Sequence, residues 1–446
     1  MTGLTASLAQ FASQPNFAPL PDRAVEIVQS GFIDTLGTML AGRDEPVVRM
    51  AQSFVADKQS SVQEAAVLMG SAMASASDAA LINATAGHAL DFDDVALGGH
   101  PSTVLVPAVL AAGQHVNATG DQALRAYLIG YEVWAELFVR EKDAYHLKGW
   151  HPTAVLGTVG ASAAVAHLYG LNAKQCQHVI ALAASMASGL VANFGTMTKP
   201  LHAGRAAACA IEAVRWVQKG LTAAPDALEH VAGFLSALSP HGAVDRSSAA
   251  ADLGQRFRIL ESGLSIKKYP TCYATHRVID GVLDLSASHG FDLKEVSHVQ
   301  THIGVAQASM LRNHQPHTGL EAKFSMEFAV AASLVRGKVG LNELSDAFVQ
   351  EPAVKEAMSK VKISTVDTQC TIEPVFSMHD RVQIHLHNGA VLDSGDIRFA
   401  RGNAMLPLQG LDLQTKFLDC VQSAPIDGGA LLKKLNELTA QSHLRF

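Results

Sequence analysis

Apolar residues recur at helical spacing through the first half of the chain. Between residues 23 and 41, Val25, Val28, Phe32 and Leu36 follow one another at intervals of three or four, which is the pattern of a helix with one buried face. Similar segments bounded by Gly, Pro and Asn predict further helices, so the first 260 residues are expected to be all-α. These helices are expected at about 46–57, 76–92, 101–116, 121–140, 152–169, 173–190, 200–219 and 226–237.

The pattern changes after Gly254, where short extended segments alternate with helices. Asn388-Gly389 joins the last two extended segments and is a strong hairpin signal. We therefore predict a mainly α protein with a large all-helical domain, residues 1–264 and 400–446, and a smaller α+β lid domain, residues 265–399. Extended segments are expected at 256–260, 265–270, 295–304, 361–366, 381–387 and 390–398, and helices at about 271–289, 320–336, 351–359, 411–422 and 428–441.

Composition narrows the class of protein. The 446 residues are 48% hydrophobic and only 17% charged, which indicates extensive buried helix surface and an oligomer. The net charge of −7 argues against nucleic acid or an anionic membrane as a partner. The uncharged run 180–198 is rich in Ala, Ser and Gly and is expected to be a buried helix rather than a membrane span. Five scattered cysteines and no signal peptide favour a reducing, cytoplasmic location.

Three basic residues each stand directly before a proline that can open a helix. They are His100, His151 and Lys199, and the two histidines share the pattern His-Pro-Ser/Thr-x-Val-Leu. A helix N-terminus favours anions, so three such entrances brought together would hold a di- or tricarboxylate. His202 and Arg205 follow Lys199 and would add two further basic side chains to this anion-binding site. The alternative is that His-Pro pairs are simply good helix starts.

An acidic segment, His88-Ala89-Leu90-Asp91-Phe92-Asp93-Asp94, precedes the first of these entrances. His88, Asp91 and Asp94 are spaced at i, i+3 and i+6, so a metal site has to be considered. We expect no metal, because the other histidines lack a ligand spacing such as His-Glu-x-x-His. A capped helix end and a metal-free acid–base role, with Asp91 holding a neighbouring His or Lys in its charged form, remain as alternatives.

Two further segments carry candidate groups. Tyr145 lies in a polar segment leading into His151 and can act as an acid or base if neighbouring cations lower its pKa, although an exposed loop Tyr is the simpler interpretation. Lys267 and Tyr269 lie where the all-helical pattern gives way to alternating strands and helices. A boundary of this kind can act as a hinge between domains, and hinges often border active sites. Cys272 in the same segment is a candidate nucleophile, with a packed thiol as the alternative.

These motifs, taken in order, resemble the MmgE/PrpD family over nearly the whole chain. The resemblance implies a large helical domain, a smaller α+β lid, a homodimer and no required cofactor. It also implies an enzyme that moves or removes a proton, or releases carboxylate, at a carbon next to a carboxylate. The motifs that carry it are His88–Asp94, His100-Pro101-Ser102, Gly149–Thr153, Thr198–Gly204, Lys268-Tyr269-Pro270 with Thr275-His276, and Glu321–Ser325.

The resemblance also assigns site residues, with two departures. Five positions match the decarboxylase-type site in residue type: Asp91, His100, His151, Lys199 and Lys267. In contrast, Val95 stands where decarboxylase-type members have Thr, and Phe328 stands where they have Tyr. The loss of two hydroxyls that can contact substrate favours a different reaction within the family.

The sequence-based hypothesis is therefore a cofactor-independent epimerase acting on an iminodisuccinate-type polycarboxylate. Lys199 and Tyr145 are expected to be its paired acid and base, while His100, His151 and His202 bind or polarise carboxylates. Asp91 is expected to assist catalysis, and Lys267, Tyr269 and Arg205 to bind substrate. The alternatives are a 2-methylcitrate-type hydro-lyase, a cis-aconitate-type decarboxylase and a non-enzymatic helical protein.

Overall fold

A computed structural model describes residues 3–14, 19–373, 375–408 and 410–446. The fold is mainly α, with 54% helix and 8% strand, as the apolar pattern predicts. The chain divides into two compact units: unit 1 comprises residues 1–266 and 409–446, and unit 2 comprises residues 267–408. The boundaries expected from the sequence were at 264/265 and 399/400.

The helices and strands are labelled in chain order. Helices α1–α19 span Leu4–Ala12, Asp22–Ala41, Pro46–Ala56, Ala76–Ala89, Ser102–Val116, Gly120–Val139, Pro152–Leu168, Ala173–Met186, Thr198–Gln218, Phe234–Leu238, Ile259–Ser262, His276–His289, Val305–Met310, Gly319–Ala322, Met326–Arg336, Asp346–Val349, Pro352–Ser359, Leu411–Val421 and Gly428–Asn436. Strands β1–β6 span Ala65–Ala66, Met73–Ala74, Val296–Gly304, Val361–Val366, Arg381–Leu386 and Val391–Asp393.

Close helix packing dominates unit 1. Helix α7 is buried from Pro152 to Ala166 and contains no charged residue over that stretch, so it is apolar around its whole circumference. Helices α4 and α9 approach closely at Gly204, where an added Cβ would overlap Thr85 Oγ1 and lie 2.5 Å from the carbonyl oxygen of Leu81. Because α4 ends beside the acidic segment and α9 begins at Lys199, this crossing places two candidate segments near each other.

The uncharged run 180–198 does not form one long helix. Helix α8 ends at Met186, and Ala187 is already extended. A short 3-10 helix, Val191–Asn193, follows before α9 begins at Thr198. In the described part of the chain, no helix combines the length and the apolar character needed to cross a bilayer.

Unit 2 is built on a four-stranded sheet with the order β4-β3-β5-β6. Strands β3 and β4 are parallel, whereas β3–β5 and β5–β6 are antiparallel. Val299, Val382 and Ile384 from the sheet pack with Val278 of α12 and Val330 of α15 in one apolar core. Four of the six predicted extended segments thus correspond to strands of this sheet, although β6 is shorter than predicted.

The prediction of strands at the other two extended segments, 256–260 and 265–270, was wrong. Part of the first belongs to helix α11, and Ser265 makes only an isolated antiparallel bridge with Val95. The physical reason is a distant carboxylate: Glu132 accepts hydrogen bonds from the backbone N–H groups of Arg258 and Ile259, at 2.9 and 3.0 Å. These bonds satisfy the free donors of a helix start, which the local sequence does not reveal.

Several helix limits also differ from the predicted ones. The predicted helix 320–336 is two helices, α14 and α15, because Ser325 accepts a hydrogen bond from the Phe328 N–H and so starts a new helix. The predicted helix 226–237 is helical only from Phe234 to Leu238. The final predicted helix, 428–441, ends at Asn436.

Candidate active site in unit 1

Four helix ends supply the residues of the candidate site. His88 lies in the last turn of α4, and His100 lies two residues before α5. His151 is the N-cap residue of α7, whereas Lys199 and His202 lie near the start of α9. The three basic helix entrances predicted from the sequence are therefore present.

The imidazole rings from these helix ends form a continuous cluster. The ring of His88 lies 4.5 Å from that of His100 and 5.9 Å from that of His151, measured between centroids. His151 and His202 lie 5.4 Å apart, with their Nδ1 atoms at 3.2 Å, so that one ring donates a hydrogen bond to the other. The predicted convergence of the three entrances is confirmed, and His88 links two of them.

Lys199 and Asp91 form an ion pair beside this cluster. The Lys199 Nζ atom lies 2.5 Å from Asp91 Oδ1, and His100 Nε2 lies 3.8 Å from the same oxygen. Asp91 has a φ of +53°, which is uncommon for a residue other than glycine and is favoured by Asp and Asn among the others. Phe194 covers the pair from one side, with its ring centroid 5.2 Å from Lys199 Nζ.

Burial keeps the surrounding histidines neutral near pH 7. It lowers the pKa of His88 to about 4, despite the attraction of Asp93. Burial also holds the pKa of His151 well below its usual value and lowers the pKa of His202, and Lys199 adds to both effects. A buried imidazole next to an ammonium stays neutral, so His151 adds no positive charge to this cluster. His151 and His202 instead act as neutral hydrogen-bonding groups.

The two adjacent carboxylates Asp93 and Asp94 have opposite electrostatic surroundings, although both are fully buried. Asp93 faces His88 and His100. Burial raises its pKa, but the two imidazole rings lower it by more, so the pKa of Asp93 lies well below its usual value. Asp94 contacts Ser102, whose hydroxyl also lies 2.6 Å from the Tyr127 hydroxyl. Burial raises the pKa of Asp94 well above its usual value, and the Asp94 carboxyl group contacts the N–H and hydroxyl groups of Ser102 at the start of α5.

His88, Asp91, Asp93 and His100 each bring one potential ligand atom into a group in which all four lie within 4.8 Å of one another. This set fits the ligand preferences of a divalent cation. It differs from the set considered in the sequence, because Asp94 faces Ser102 instead. The amino group of Lys199 already provides a cation for Asp91, and Asp93 is already matched by the two rings.

A residue from the C-terminal segment braces the acidic loop from behind. Lys416 of α18 donates a hydrogen bond of 2.8 Å to the Phe92 carbonyl oxygen, and its Nζ atom lies 3.9 Å from the Phe92 ring centroid. The same Nζ atom lies 2.5 Å from Asp34 Oδ1. Burial raises the pKa of Asp34 in spite of this cation. The loop that carries Asp91 and Asp93 is thus anchored to two distant parts of unit 1.

Tyr145 does not fit its predicted role. Its side chain is buried, and its hydroxyl donates a hydrogen bond of 3.1 Å to the carbonyl oxygen of Leu137. Burial and, secondly, the charge of Glu141 raise its pKa rather than lower it. The expectation of a pKa lowered by neighbouring cations was therefore wrong, as was the alternative of an exposed loop residue.

Replacement of Tyr145 by Phe is expected to leave kcat within about threefold of wild type, since removal of a group outside the chemistry costs little. The lost hydrogen bond to Leu137 should lower the free energy of unfolding by about 1 kcal/mol. Steady-state kinetics and chemical denaturation check the two values. A loss of kcat of about 100-fold or more in a folded variant would restore Tyr145 as an acid–base group.

The remaining predicted site residues are Arg205 in unit 1 and Lys267 and Tyr269 in unit 2. Arg205 is exposed on α9, and its guanidinium contacts Cys209 Sγ at 3.5 Å rather than the histidine cluster. Lys267 and Tyr269 belong to unit 2, where both are buried, and the Tyr269 hydroxyl donates a hydrogen bond of 2.6 Å to Asp280 Oδ1. Cys272 is also buried in unit 2 and packs in its apolar core.

The sequence-based choice of site residues omitted three that the structure places in the cluster. His88 and Asp93 belong to a motif that had been singled out, and a signal for them was therefore present. Phe194 contacts both the Lys199 amino group and the His151 ring, with 4.8 Å between the His151 and Phe194 ring centroids. No charge or spacing in its own segment distinguished Phe194.

The chain is similar to known proteins over most of its length. The chain is 25% identical to the cis-aconitate decarboxylase of Homo sapiens over 427 residues, which cover 94% of this chain and 87% of that protein. It is 27% identical to the Mus musculus cis-aconitate decarboxylase over 350 residues, which cover 76% and 70% of the two chains. Residues 6–247 match the MmgE/PrpD N-terminal domain, and residues 269–428 match the MmgE/PrpD C-terminal domain. The chain therefore belongs to the MmgE/PrpD family.

Proposed function

We propose that unit 1 carries the active site of an enzyme that moves a proton at a carbon atom next to a carboxylate of a small polycarboxylate. The observation that carries this proposal is the arrangement around Asp91 Oδ1, which has Lys199 Nζ at 2.5 Å and His100 Nε2 at 3.8 Å. Two groups able to bind and release a proton thus adjoin one carboxylate. Neutral His151 and His202 lie close by as hydrogen-bonding partners for a substrate carboxylate.

The chemistry needs these groups because the carbon acid is weak. Removal of its proton leaves a carbanion whose charge spreads into the neighbouring carboxylate as an enediolate dianion. A fixed amino group and N–H donors in a site with little water stabilise that charge more than they stabilise the substrate. Lys199 supplies the amino group, and Asp91 sets its position.

Within this class we propose an epimerase acting on an iminodisuccinate-type substrate. One nitrogen removes the α-proton from one face, and the other returns a proton to the opposite face, so no electrons are transferred and no atom is lost. His100 takes the place of Tyr145 as the partner of Lys199, because the Tyr145 hydroxyl is bonded to the Leu137 carbonyl. The residues Val95 and Phe328, which lack the hydroxyls of the decarboxylase-type pattern, support this reaction over decarboxylation.

A lyase reaction is the second candidate, and the relatives named as cis-aconitate decarboxylases favour it. In cis-aconitate, loss of CO2 from the CH2 arm leaves an electron pair that delocalises through the double bond. One proton then returns to the CH carbon of the former double bond, which bears a carboxylate, and the product is methylenesuccinate with two of the three carboxylates retained. A single proton donor, Lys199 or His100, suffices for that step.

A substrate panel followed by proton NMR in deuterated water separates these reactions. The panel contains iminodisuccinate, cis-aconitate and 2-methylcitrate, each with and without EDTA. The epimerase proposal predicts that deuterium replaces the α-proton of iminodisuccinate, at the same rate with EDTA. Singly deuterated methylenesuccinate and CO2 from cis-aconitate would identify the decarboxylase instead, and a new conjugated double bond from 2-methylcitrate a hydro-lyase.

Two outcomes would contradict the proposal. Folded protein that leaves all three substrates unchanged would exclude the proposed active site for this substrate class. Activity that disappears with EDTA and returns with a divalent cation would show that the four-residue group around Asp93 acts as a metal site.

A further inference from the structure

The carboxylate of Asp93 lies between two imidazole rings. Its Oδ1 and Oδ2 atoms are 3.0 and 2.9 Å from His88 Nδ1, and Oδ2 is 3.0 Å from His100 Nδ1. Asp93 and His88 are both almost completely buried. The same carboxylate is therefore the neighbour of Nδ1 in both rings.

This arrangement determines which nitrogen of each ring carries hydrogen. His88 Nδ1 is hydrogen-bonded to the carboxylate, whereas His100 Nδ1 lies 3.0 Å from Oδ2 without hydrogen-bond geometry. An ionised carboxylate only accepts hydrogen bonds and repels a nitrogen lone pair at that distance, so both nitrogen atoms that face it are assigned as N–H groups. The two rings hold the pKa of Asp93 well below its usual value even though burial raises it, which keeps the carboxylate ionised. A neutral ring with hydrogen on Nδ1 has a lone pair on Nε2. His88 Nε2 is indeed buried without a hydrogen-bond partner among the described residues.

The consequences differ for the two rings. His100 Nε2 points towards the Lys199–Asp91 pair, at 3.8 Å from Asp91 Oδ1. His88 packs between His100 and His151, so its orientation sets the position of both neighbours. A carboxylate behind an imidazole also stabilises the imidazolium that forms when Nε2 takes a proton.

We propose that Asp93 is a positioning residue, which holds His88 and His100 in the Nδ1–H tautomer and so leaves Nε2 of His100 free to take a proton from the substrate. The catalytic part of this inference rests on the proposed function, whereas the tautomers do not. Asp93 itself does not touch the substrate in this account. It acts through His100.

The neighbouring Asp94 offers a matched control. It is equally buried, but its carboxyl group contacts Ser102, and burial raises its pKa well above the usual value, in contrast to Asp93. Asn closely resembles a protonated Asp in shape and in hydrogen-bonding capacity. Asp94→Asn therefore changes the same backbone segment as Asp93→Asn without removing a charge from the rings.

The first test is spectroscopic and does not depend on activity. Protein labelled with ¹⁵N in its histidines is examined by long-range ¹H–¹⁵N correlation, which distinguishes Nδ1–H from Nε2–H rings, with His88→Asn and His100→Asn as assignment variants. The wild type should show the Nδ1–H tautomer at both positions. In Asp93→Asn the amide has only one accepting oxygen, so at least one ring should change to Nε2–H. The Nε2–H tautomer at either position in the wild type would overturn the proposal.

The second test separates kcat from KM on the substrate that the panel identifies. Asp93→Asn should lower kcat by about 10²–10⁴-fold with KM changed by less than about threefold, because a misplaced base affects the transition state. Asp94→Asn should stay within about fivefold of wild type in kcat, since its carboxyl group faces Ser102 and not the two imidazole rings. An unchanged kcat in Asp93→Asn, or an equal loss in Asp94→Asn, would overturn the positioning role.

The two tests also distinguish this inference from the proposed function. Wild-type protein that is inert towards the whole panel but shows Nδ1–H rings would refute the reaction and retain the tautomer assignment. Active wild-type protein with Nε2–H rings would retain the reaction and refute the tautomer assignment. If Asp93→Asn does not fold, the wild-type spectrum still decides the assignment.

Discussion

Replacement of Lys199 by Met is expected to lower kcat by about 10²–10⁴-fold on the substrate of this enzyme, which is the usual contribution of a positioned acid–base group. The reason is the place of Lys199: its amino group is 2.5 Å from Asp91 Oδ1 and lies beside the histidine cluster. His100 Nε2 lies 3.8 Å from the same Asp91 oxygen, so Lys199 adjoins both the carboxylate and a second group able to carry a proton. Steady-state kinetics of the purified variant, with circular dichroism to establish folding, measure the effect.

Two control variants separate catalysis from stability in this experiment. Arg205→Met removes a cation from an exposed position on the same helix, and its kcat should stay within about threefold of wild type. The double variant Asp91→Asn/Lys199→Met removes both members of the buried pair, so it should regain stability lost in the single variant without regaining activity. Activity that returns together with stability would show that Lys199 has only a structural role.

Replacement of Lys416 by Met is expected to produce the largest loss of stability, about 3–5 kcal/mol in the free energy of unfolding, as for other buried pairs broken on one side. Lys416 is the cation that faces the fully buried Asp34, and it also donates to the Phe92 carbonyl oxygen. Without it, the pKa of Asp34 would rise further. Because protonated Asp34 needs no cation, the deficit should be greater at pH 8 than at pH 5. Chemical denaturation at the two pH values measures this dependence.

The origin of the Lys416 effect can be checked with matched variants. Asp34→Asn/Lys416→Met should recover most of the lost stability, because no buried charge is left alone. Lys433→Met, at an exposed position of helix α19, should change stability by no more than about 0.5 kcal/mol. A Lys416→Met protein as stable as Lys433→Met would contradict the bracing role of Lys416.

Local patterns were sufficient to predict most helices of unit 1 and the sheet of unit 2. Helix α7 starts at Pro152 as predicted, because proline suits a first helical turn and the following residues are apolar. The strands from Val296 and Val361 were likewise found from their own apolar content. The meeting of His100, His151 and Lys199 followed from one repeated local feature, a basic residue before a proline.

The rest depended on contacts between distant residues. The start of α11 is set by Glu132, more than a hundred positions earlier. The local sequence of residues 256–260 does not contain this contact, and taken alone it predicted a strand. The division of roles between Asp93 and Asp94 follows from the partners that each carboxylate meets, the His88 and His100 rings for Asp93 and Ser102 for Asp94, which the sequence does not show. Lys416 reaches this loop from the other end of the chain. The hydrogen-bond partner of the Tyr145 hydroxyl could not be predicted either, since a sequence does not specify which carbonyl a tyrosine contacts.

The central claim is that Lys199, held in place by Asp91, and His100 exchange a proton with a carbon next to a carboxylate. Its most direct test is the rate of deuterium incorporation at the α-carbon of iminodisuccinate, measured by NMR in deuterated water with EDTA present, for wild type and for Lys199→Met. We expect the wild type to incorporate deuterium. The rate of incorporation should be lower by at least about 10²-fold in Lys199→Met. Equal rates for the two proteins, or no exchange by folded wild type, would contradict it.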